Sequence, residues 1–231
     1  MRAGRWLLMI FAVCFAVMAM IPGVGAASTL SGFHKIMEIY DPPMGSEIKP
    51  SELGDVNGVY FTLNGKPLCL VPDLMYSNEE HRRGHIESGS VHFMSGDRNQ
   101  TYLSFPVEKF PRFHVYKFQN DAGQEFLLIL SCILGVPDSA CKNLWLIGGY
   151  GNQYVTFATL ASAVNAGLLC DDIVPSIENG ELRLLGVTHY GLPHEGHPVY
   201  RYGWNRTQYY INWMSLFWNS DAQWFGIRRA N

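Results

Sequence analysis

The sequence predicts a mainly β protein, with an α+β fold as the alternative, arranged as an antiparallel, hairpin-rich sandwich or barrel with one short helix. Short apolar runs alternate with turn residues along most of the chain. Two of these turns are Asn-Gly pairs, at 64–65 and 179–180, and Asn-Gly tolerates the positive φ angles of tight hairpin turns. Only one segment has the composition of a helix. These three observations favour strands joined mostly to their neighbours in sequence.

The first third of the chain contains one strand, one irregular connection and one hairpin. Residues 33–40 are a strand candidate, and residues 41–58 contain three prolines and three glycines, which favours an irregular connection. Residues 59–63 and 68–71 flank Asn64-Gly65 and form the first predicted hairpin.

Further strands follow at short intervals. Residues 102–107 form a short strand, and three more hairpins are predicted from paired apolar runs around polar turns. The pairs are 113–118 with 126–131, 144–150 with 154–157, and 173–177 with 182–187. The end of the chain, residues 199–228, is rich in aromatics and alternates in character, as strands do.

One helix is predicted over residues 159–166. Thr159 is a good N-cap, the interior is built of Leu, Ala, Ser, Val and Asn, and Gly167 stands where a left-handed C-terminal residue belongs.

Residues 1–26 have the pattern of a secretory signal peptide. Arg2 and Arg5 precede sixteen uncharged residues, Pro22-Gly23 breaks the run, and Val24-Gly25-Ala26 supplies small residues for cleavage. A retained membrane anchor is the alternative, but the run is shorter than the ~20 residues that span a bilayer. We therefore expect residues 27–231 to form a single β-rich secreted or periplasmic domain, with no membrane span after signal removal.

Composition excludes several classes of protein. Charged residues make up only 16% of the chain, too few for a disordered charged tail. Asp and Glu number 20 against 17 Lys and Arg, and two of the arginines leave with the signal. An acidic chain without a dense basic cluster is a poor binder of nucleic acid.

Four cysteines remain after signal removal, an even number that suggests disulfides in an exported chain. Cys132 ends one apolar run and Cys141 precedes the next, so a bridge between neighbouring strands is expected. Cys69 and Cys170 would then pair over a long loop. Four buried free thiols are the alternative, and no CxxC spacing suggests zinc.

Three histidines cluster in a Gly/Pro-rich segment. His189, His194 and His197 lie within nine residues and could hold zinc together with Glu195. The spacing fits no standard metal motif, and a polar surface loop is the alternative. The sequence therefore predicts no cofactor, with zinc as the alternative.

A second charged stretch offers an anion site. Arg82 and Arg83, flanked by His81 and His85, could bind an anion. The alternative is a solvated loop whose nearby glutamates neutralise the arginines.

The C-terminal aromatics suggest a ligand face. Alternation over 208–213 places Gln208, Tyr210 and Asn212 on one side, and the other side is wholly large and apolar. We expect that apolar side, which includes Trp213, to face the core, and the polar side to face solvent and bind ligand. The alternative is that these rings simply build a β core.

Function is predicted only coarsely. The chain is expected to be a secreted or periplasmic globular binding module, or one associated with the cell envelope, and its partner a small molecule, a glycan or an envelope protein. The alternative is a secreted hydrolase with a metal held by the 189–197 loop. No G-x-S-x-G elbow, Walker loop or dinucleotide fingerprint is present, and the sequence leaves open whether the protein is an enzyme.

Overall fold

A computed structural model describes residues 27–41, 48–133, 140–169, 171–188, 201–202 and 208–229. The predicted mainly β class is confirmed, as a sandwich of antiparallel sheets with one short α-helix. The strands are β1 (Ala27–Ser28), β2 (Leu30–Tyr40), β3 (Val59–Leu63), β4 (Lys66–Tyr76), β5 (Ile86–Ser95), β6 (Thr101–Val107), β7 (Pro111–Asn120), β8 (Glu125–Ile133), β9 (Ala140–Tyr150), β10 (Gln153–Thr159), β11 (Asp172–Glu178), β12 (Glu181–Thr188), β13 (Arg201–Tyr202), β14 (Gln208–Asn219) and β15 (Trp224–Arg229). The helix, α1, is Leu160–Asn165.

The strands form three sheets stacked as three layers. The N-terminal sheet has the order β3-β4-β5-β6, and the central sheet has the order β10-β9-β8-β7-β2. The C-terminal sheet has the order β1-β14-β12-β11, with β13 and β15 also paired to β14. Two cores result: the N-terminal core between the N-terminal and central sheets, and the C-terminal core between the central and C-terminal sheets.

The central sheet is buried on both faces, and β8 shows this most clearly. Every side chain from Phe126 to Leu130 is at most 2% exposed. Phe126 and Leu128 enter the C-terminal core, whereas Leu127 and Ile129 enter the N-terminal core, because successive side chains of a strand point to opposite faces. A strand buried on both sides has to be apolar throughout, which explains the unbroken apolar run at this point of the sequence.

The first strands join two layers. β1 pairs with β14 in the C-terminal sheet, and β2 pairs with β7 in the central sheet. Between them the chain crosses from one layer to the other, and the Leu30 amide donates to the carbonyl of Gly180 over 2.8 Å.

The four predicted hairpins are confirmed. Asn64 and Gly65 have φ angles of 51° and 74°, and Asn179 and Gly180 have φ angles of 51° and 75°. Two consecutive positive φ angles are what a type I′ turn requires. The hairpins β7–β8 and β9–β10 close around the other two predicted turns.

The predicted helix is also confirmed. The Thr159 hydroxyl accepts a hydrogen bond from the Ser162 amide, and the Ser162 hydroxyl in turn accepts one from the Thr159 amide. Gly167, with φ of 94°, follows the last turn.

The predicted register of β14 is wrong. Asn212, Met214 and Trp218 face the C-terminal core, whereas Trp213 and Phe217 are half-buried on the outer face of the sheet. After residue 212, the even-numbered positions of β14 are Met, Leu and Trp and form a more apolar stripe than the odd-numbered positions. The prediction considered only residues 208–213 and therefore missed this stripe. Core burial of that stripe decides the register of all twelve residues.

Asn212 is buried because its amide serves the backbone after α1. Its Oδ1 accepts from the Leu169 amide over 3.0 Å, and its Nδ2 donates to the carbonyl of Gly167 over 2.5 Å. The prediction that Asn212 faces solvent is therefore wrong, whereas its role in ligand binding stays a prediction.

The outer face of the C-terminal sheet carries two cation–π pairs. The Arg183 guanidinium lies 4.3 Å from the ring centre of Trp213, and that of Arg228 lies 4.8 Å from the ring centre of Phe217. Both arginines also pair with a glutamate of this sheet, Glu178 or Glu181. These contacts account for aromatic side chains on a face that no other sheet covers among the described residues.

The bridge Cys132–Cys141 is confirmed, between cross-strand partners of β8 and β9. The predicted pairing of Cys69 with Cys170 is wrong, because Cys69 is a buried free thiol that donates to the Ser95 carbonyl over 3.3 Å. Cys170 itself lies outside the described residues.

The predicted signal peptide, residues 1–26, lies outside the described residues. Within the part of the chain that the structure describes, no helix has the length and apolar character to cross a bilayer.

Trp218 and Trp213 provide a test of the β14 register. Trp218 is 1% exposed, so Trp218→Ala is expected to lower the free energy of unfolding by ~3–5 kcal/mol. Trp213→Ala on the outer face is expected to cost clearly less. Urea unfolding of the two variants measures the difference, and a larger loss at Trp213 would contradict the register.

The thiol state of Cys69 can be tested by peptide mapping. Because Cys69 is 0% exposed, it is expected to react with a maleimide only after unfolding. Cys132 and Cys141 are expected to appear in one linked peptide pair without reductant. A linked pair containing Cys69 would disprove the free thiol.

Candidate functional site

The histidines predicted to hold zinc, His189, His194 and His197, lie outside the described residues. Among the described residues, no group of three or more His, Cys, Asp or Glu side chains is placed to hold a metal ion. The zinc hypothesis therefore stays a prediction.

The predicted ligand face is only partly described. The backbones of Gln208 and Tyr210 belong to β14, but their side chains lie outside the description. Asn212, the third member, is turned into the protein as described above. The three residues therefore do not form the predicted solvent-facing row.

In the predicted anion loop, Arg82 is already neutralised. Its Nη2 lies 2.8 Å from the Glu79 carboxylate and 3.4 Å from that of Glu87. This favours the alternative of a solvated loop with local ion pairs. Arg83 is exposed, and its role in anion binding stays a prediction.

His85 has a different role from the rest of that loop. Its Nδ1 lies 2.6 Å from Oδ1 of Asp41, and Oδ2 of Asp41 accepts from the Ile86 amide over 2.6 Å. The two side chains are 2% and 0% exposed. Burial raises the pKa of Asp41, and the Ile86 amide and His85 oppose this. The pair joins the end of β2 to the start of β5 and is closed to solvent, so its role is structural.

A chain of titratable groups lies where β2 and β7 pair. The Nε2 of His114 is 2.7 Å from the Glu38 carboxylate, and its Nδ1 is 3.1 Å from the Tyr116 hydroxyl. The only tautomer that satisfies both contacts with a neutral ring donates from Nε2 to Glu38 and accepts at Nδ1 from Tyr116. Sequence reasoning missed this group because Glu38 and His114 are 76 positions apart.

The protonation states of this chain follow from burial and its neighbours. The hydrogen bond from Lys35, over 2.6 Å, is the main cause of a lowered pKa at Glu38. Burial lowers the pKa of His114, although Glu38 opposes this, and burial also raises the pKa of Tyr116. At neutral pH the chain is therefore a carboxylate, a neutral imidazole and a neutral phenol.

The hydrogen-bonding atoms of Glu38, His114 and Tyr116 are paired with one another. Beside them, Arg112 of β7 forms an ion pair with Asp172 of β11 and so ties the central sheet to the C-terminal sheet. Both nitrogens of His114 are occupied, and Tyr116 is a poor nucleophile with a raised pKa. This geometry is that of a structural anchor.

A polar pocket lies at one end of the central sheet, where three hairpin turns meet. The β3–β4 turn is locked to β8: the Asn64 amide donates to the Glu125 carboxylate over 2.5 Å, and the Glu125 amide donates to Oδ1 of Asn64 over 2.7 Å. Beside this lock is a cavity of about 270 Å³. It is lined by Asn64, Lys66, Gln124, Gly149, Gly151, Asn152, Gln153 and Tyr154.

Two exposed aromatic rings lie at the same hairpin tip as the pocket, on the other face of the central sheet. Tyr150 is 53% exposed and Trp224 is 41% exposed, with ring centres 6.3 Å apart and nearly perpendicular. Tyr150 is the direct cross-strand partner of Gln153, which lines the pocket. Successive side chains of a strand point to opposite faces, so Tyr150 and Trp224 lie on the side of the C-terminal core, whereas Gly149 and Tyr154 line the pocket on the side of the N-terminal core. The rings and the pocket therefore lie on the two sides of the β9–β10 tip.

The sequence contains a weak signal for this surface. The glycine-rich stretch Gly148-Gly149-Tyr150-Gly151 suggests a turn, although 148–150 belong to β9 and the turn itself is Gly151-Asn152. A tyrosine among glycines at a hairpin tip has no core to enter. The contact with Trp224 could not be found from the sequence, because it depends on how two sheets stack.

Acid is expected to weaken the fold through His114. Its folded pKa is lowered, so the stability it contributes is present above its ordinary value of 6.5 and is lost as pH falls below that value. The contribution of Glu38, whose pKa is also lowered, is lost only below 4.5. Urea unfolding at pH 7, 6 and 5 is therefore expected to show falling stability.

The variant His114→Gln tests this assignment. It keeps a donor for Glu38 but cannot titrate, so the loss between pH 6.5 and 5 is expected to shrink. His34→Gln changes an exposed histidine of β2 and serves as the control. An unchanged pH dependence in His114→Gln would show that His114 is not the group responsible.

Comparison with protein-family models, with curated proteins and with solved structures finds no match to this chain.

Proposed function

We propose that this protein is an exported binding module that recognises a glycan through the tip of β9–β10, with Tyr150 and Trp224 on one side of the tip and the pocket on the other. Export is supported by the signal-like pattern of residues 1–26 and by the disulfide, which is typical of oxidising compartments. A glycan on the cell envelope or outside the cell would be accessible to such a protein.

The exposed aromatic pair carries the proposal. Trp224 packs edge to face on Phe157, with ring centres 4.7 Å apart, and Phe157 is itself in the C-terminal core. Its neighbour Tyr150 meets Trp224 edge to face, with ring centres 6.3 Å apart. Rings that are exposed yet fixed lose little entropy on binding, and their flat faces suit the apolar faces of sugar rings.

The pocket supplies the complementary polar groups. Asn152 and Gln153 are exposed and carry amides, each of which can both donate and accept a hydrogen bond. Sugar hydroxyls have the same dual character. The combination of a stacking surface and amides suits a ligand with hydroxyl groups better than an apolar one.

The described titratable groups favour binding over catalysis. The chain Glu38–His114–Tyr116 pairs internally, and the pair Asp41–His85 is buried. Neither offers a free acid and base beside a pocket.

Affinity electrophoresis in gels that contain soluble polysaccharides tests the proposal. The purified protein is expected to be retarded by at least one member of a panel of β-glucan, xylan, mannan, polygalacturonate and alginate. Trp224→Ala is expected to weaken that binding about tenfold or more, as loss of a central aromatic contact does.

Tyr60→Ala is the matched control. Tyr60 is 60% exposed but lies on the N-terminal sheet, so its loss is expected to leave retardation unchanged. No retardation by any polysaccharide, or equal losses in Trp224→Ala and Tyr60→Ala, would contradict the proposal.

A further inference from the structure

We infer that the pocket at the tip of β9–β10 is a subsite for a carboxylate, so that the glycan recognised is an acidic one that contains uronic acid units. This inference rests on the proposed function and adds the charge of the ligand. It depends on Lys66, the first residue of β4.

Among the described residues that line the pocket, Lys66 is the only one with a charged side chain. That described lining contains no carboxylate, although Asp and Glu outnumber Lys and Arg in the chain. The pocket therefore has a positive local charge although the chain as a whole is acidic. A positively charged pocket favours negatively charged ligands.

Nearby carboxylates do not neutralise Lys66. Glu125, which is bound to the turn that precedes Lys66, pairs with Lys117 over 2.6 Å and also accepts from the Asn64 amide. Among the described residues, no ion pair involves Lys66. Its ammonium is therefore free to pair with a charge that a ligand brings.

The backbone that carries Lys66 is held in place. The preceding Asn64 and Gly65 form the type I′ turn, and Asn64 is bound to Glu125 in three ways, the third being the Nδ2 bond to the Glu125 carbonyl over 3.2 Å. A charge on a fixed turn requires little reorganisation when the ligand arrives, which is the condition for selective recognition.

The composition of the pocket favours a carboxylate over a more highly charged group. One ammonium balances one negative charge, and the amides of Asn152 and Gln153 can donate to further oxygens. A uronic acid unit presents a single carboxylate next to hydroxyls on the same ring. Such a unit can occupy the pocket while the same glycan chain continues over the hairpin tip to Trp224 and Tyr150.

Paired probes that differ only in charge test this inference. Oligogalacturonate, oligoalginate and hyaluronan oligosaccharides are each compared with their methyl esters by isothermal titration calorimetry. At least one acid is expected to bind at least tenfold more tightly than its ester, since a hydrogen bond to a charged group contributes more than one to a neutral group. The preference is expected to decrease as salt concentration increases.

Lys66→Met is expected to remove the preference for the acid while Trp224→Ala weakens acid and ester alike. Lys109→Met, at an exposed lysine outside the pocket, is expected to keep the preference. Circular dichroism of each variant confirms the fold before binding is measured.

The outcomes separate the two proposals. Esters that bind as well as acids, or an unchanged preference in Lys66→Met, would overturn the carboxylate subsite and leave glycan binding standing. Tight binding of neutral oligosaccharides alone would also overturn the carboxylate subsite and leave glycan binding standing. Absence of binding by all acids, esters and neutral polysaccharides would overturn both.

Discussion

Burial of the central sheet on both faces is the constraint on which the rest of the structure depends. A two-layer sandwich needs only one apolar face per strand, whereas β8 supplies apolar side chains to two cores at once. Both outer sheets can then present one polar face to solvent. Their exposed faces tolerate features such as Arg183 over Trp213, since the free energy of the fold comes mainly from the two interior interfaces.

The same constraint determines where polar chemistry can lie. A sheet covered on both sides leaves room for charged side chains only at its edge strands and at the ends of its hairpins. The edge at β2 holds the chain Glu38–His114–Tyr116, where every group has a partner. The hairpin end holds the pocket, where Lys66 has none among the described residues. Paired groups hold layers together, and unpaired groups remain available to a ligand.

Local features of the fold could be predicted from the sequence, and features that depend on stacking could not. Asn64-Gly65 and the Thr159 cap each determine their conformation within a few residues, and the pair Cys132–Cys141 needs only one hairpin. The orientation of Asn212 depends on the whole of β14 and on the chain that follows α1. The candidate site depends on an even longer-range contact, because Tyr150 and Trp224 come from different sheets.

The layered arrangement also imposes an order on folding. The described residues of the N-terminal core lie between Met37 and Ile147, whereas the C-terminal core needs strands as late as Phe225. During synthesis, the N-terminal core can close first, while Phe126, Leu128 and Leu130 still lack the C-terminal sheet that covers them. Uncovered apolar sheet faces favour aggregation, so the interval before the last strands arrive is the vulnerable stage in the biogenesis of this protein.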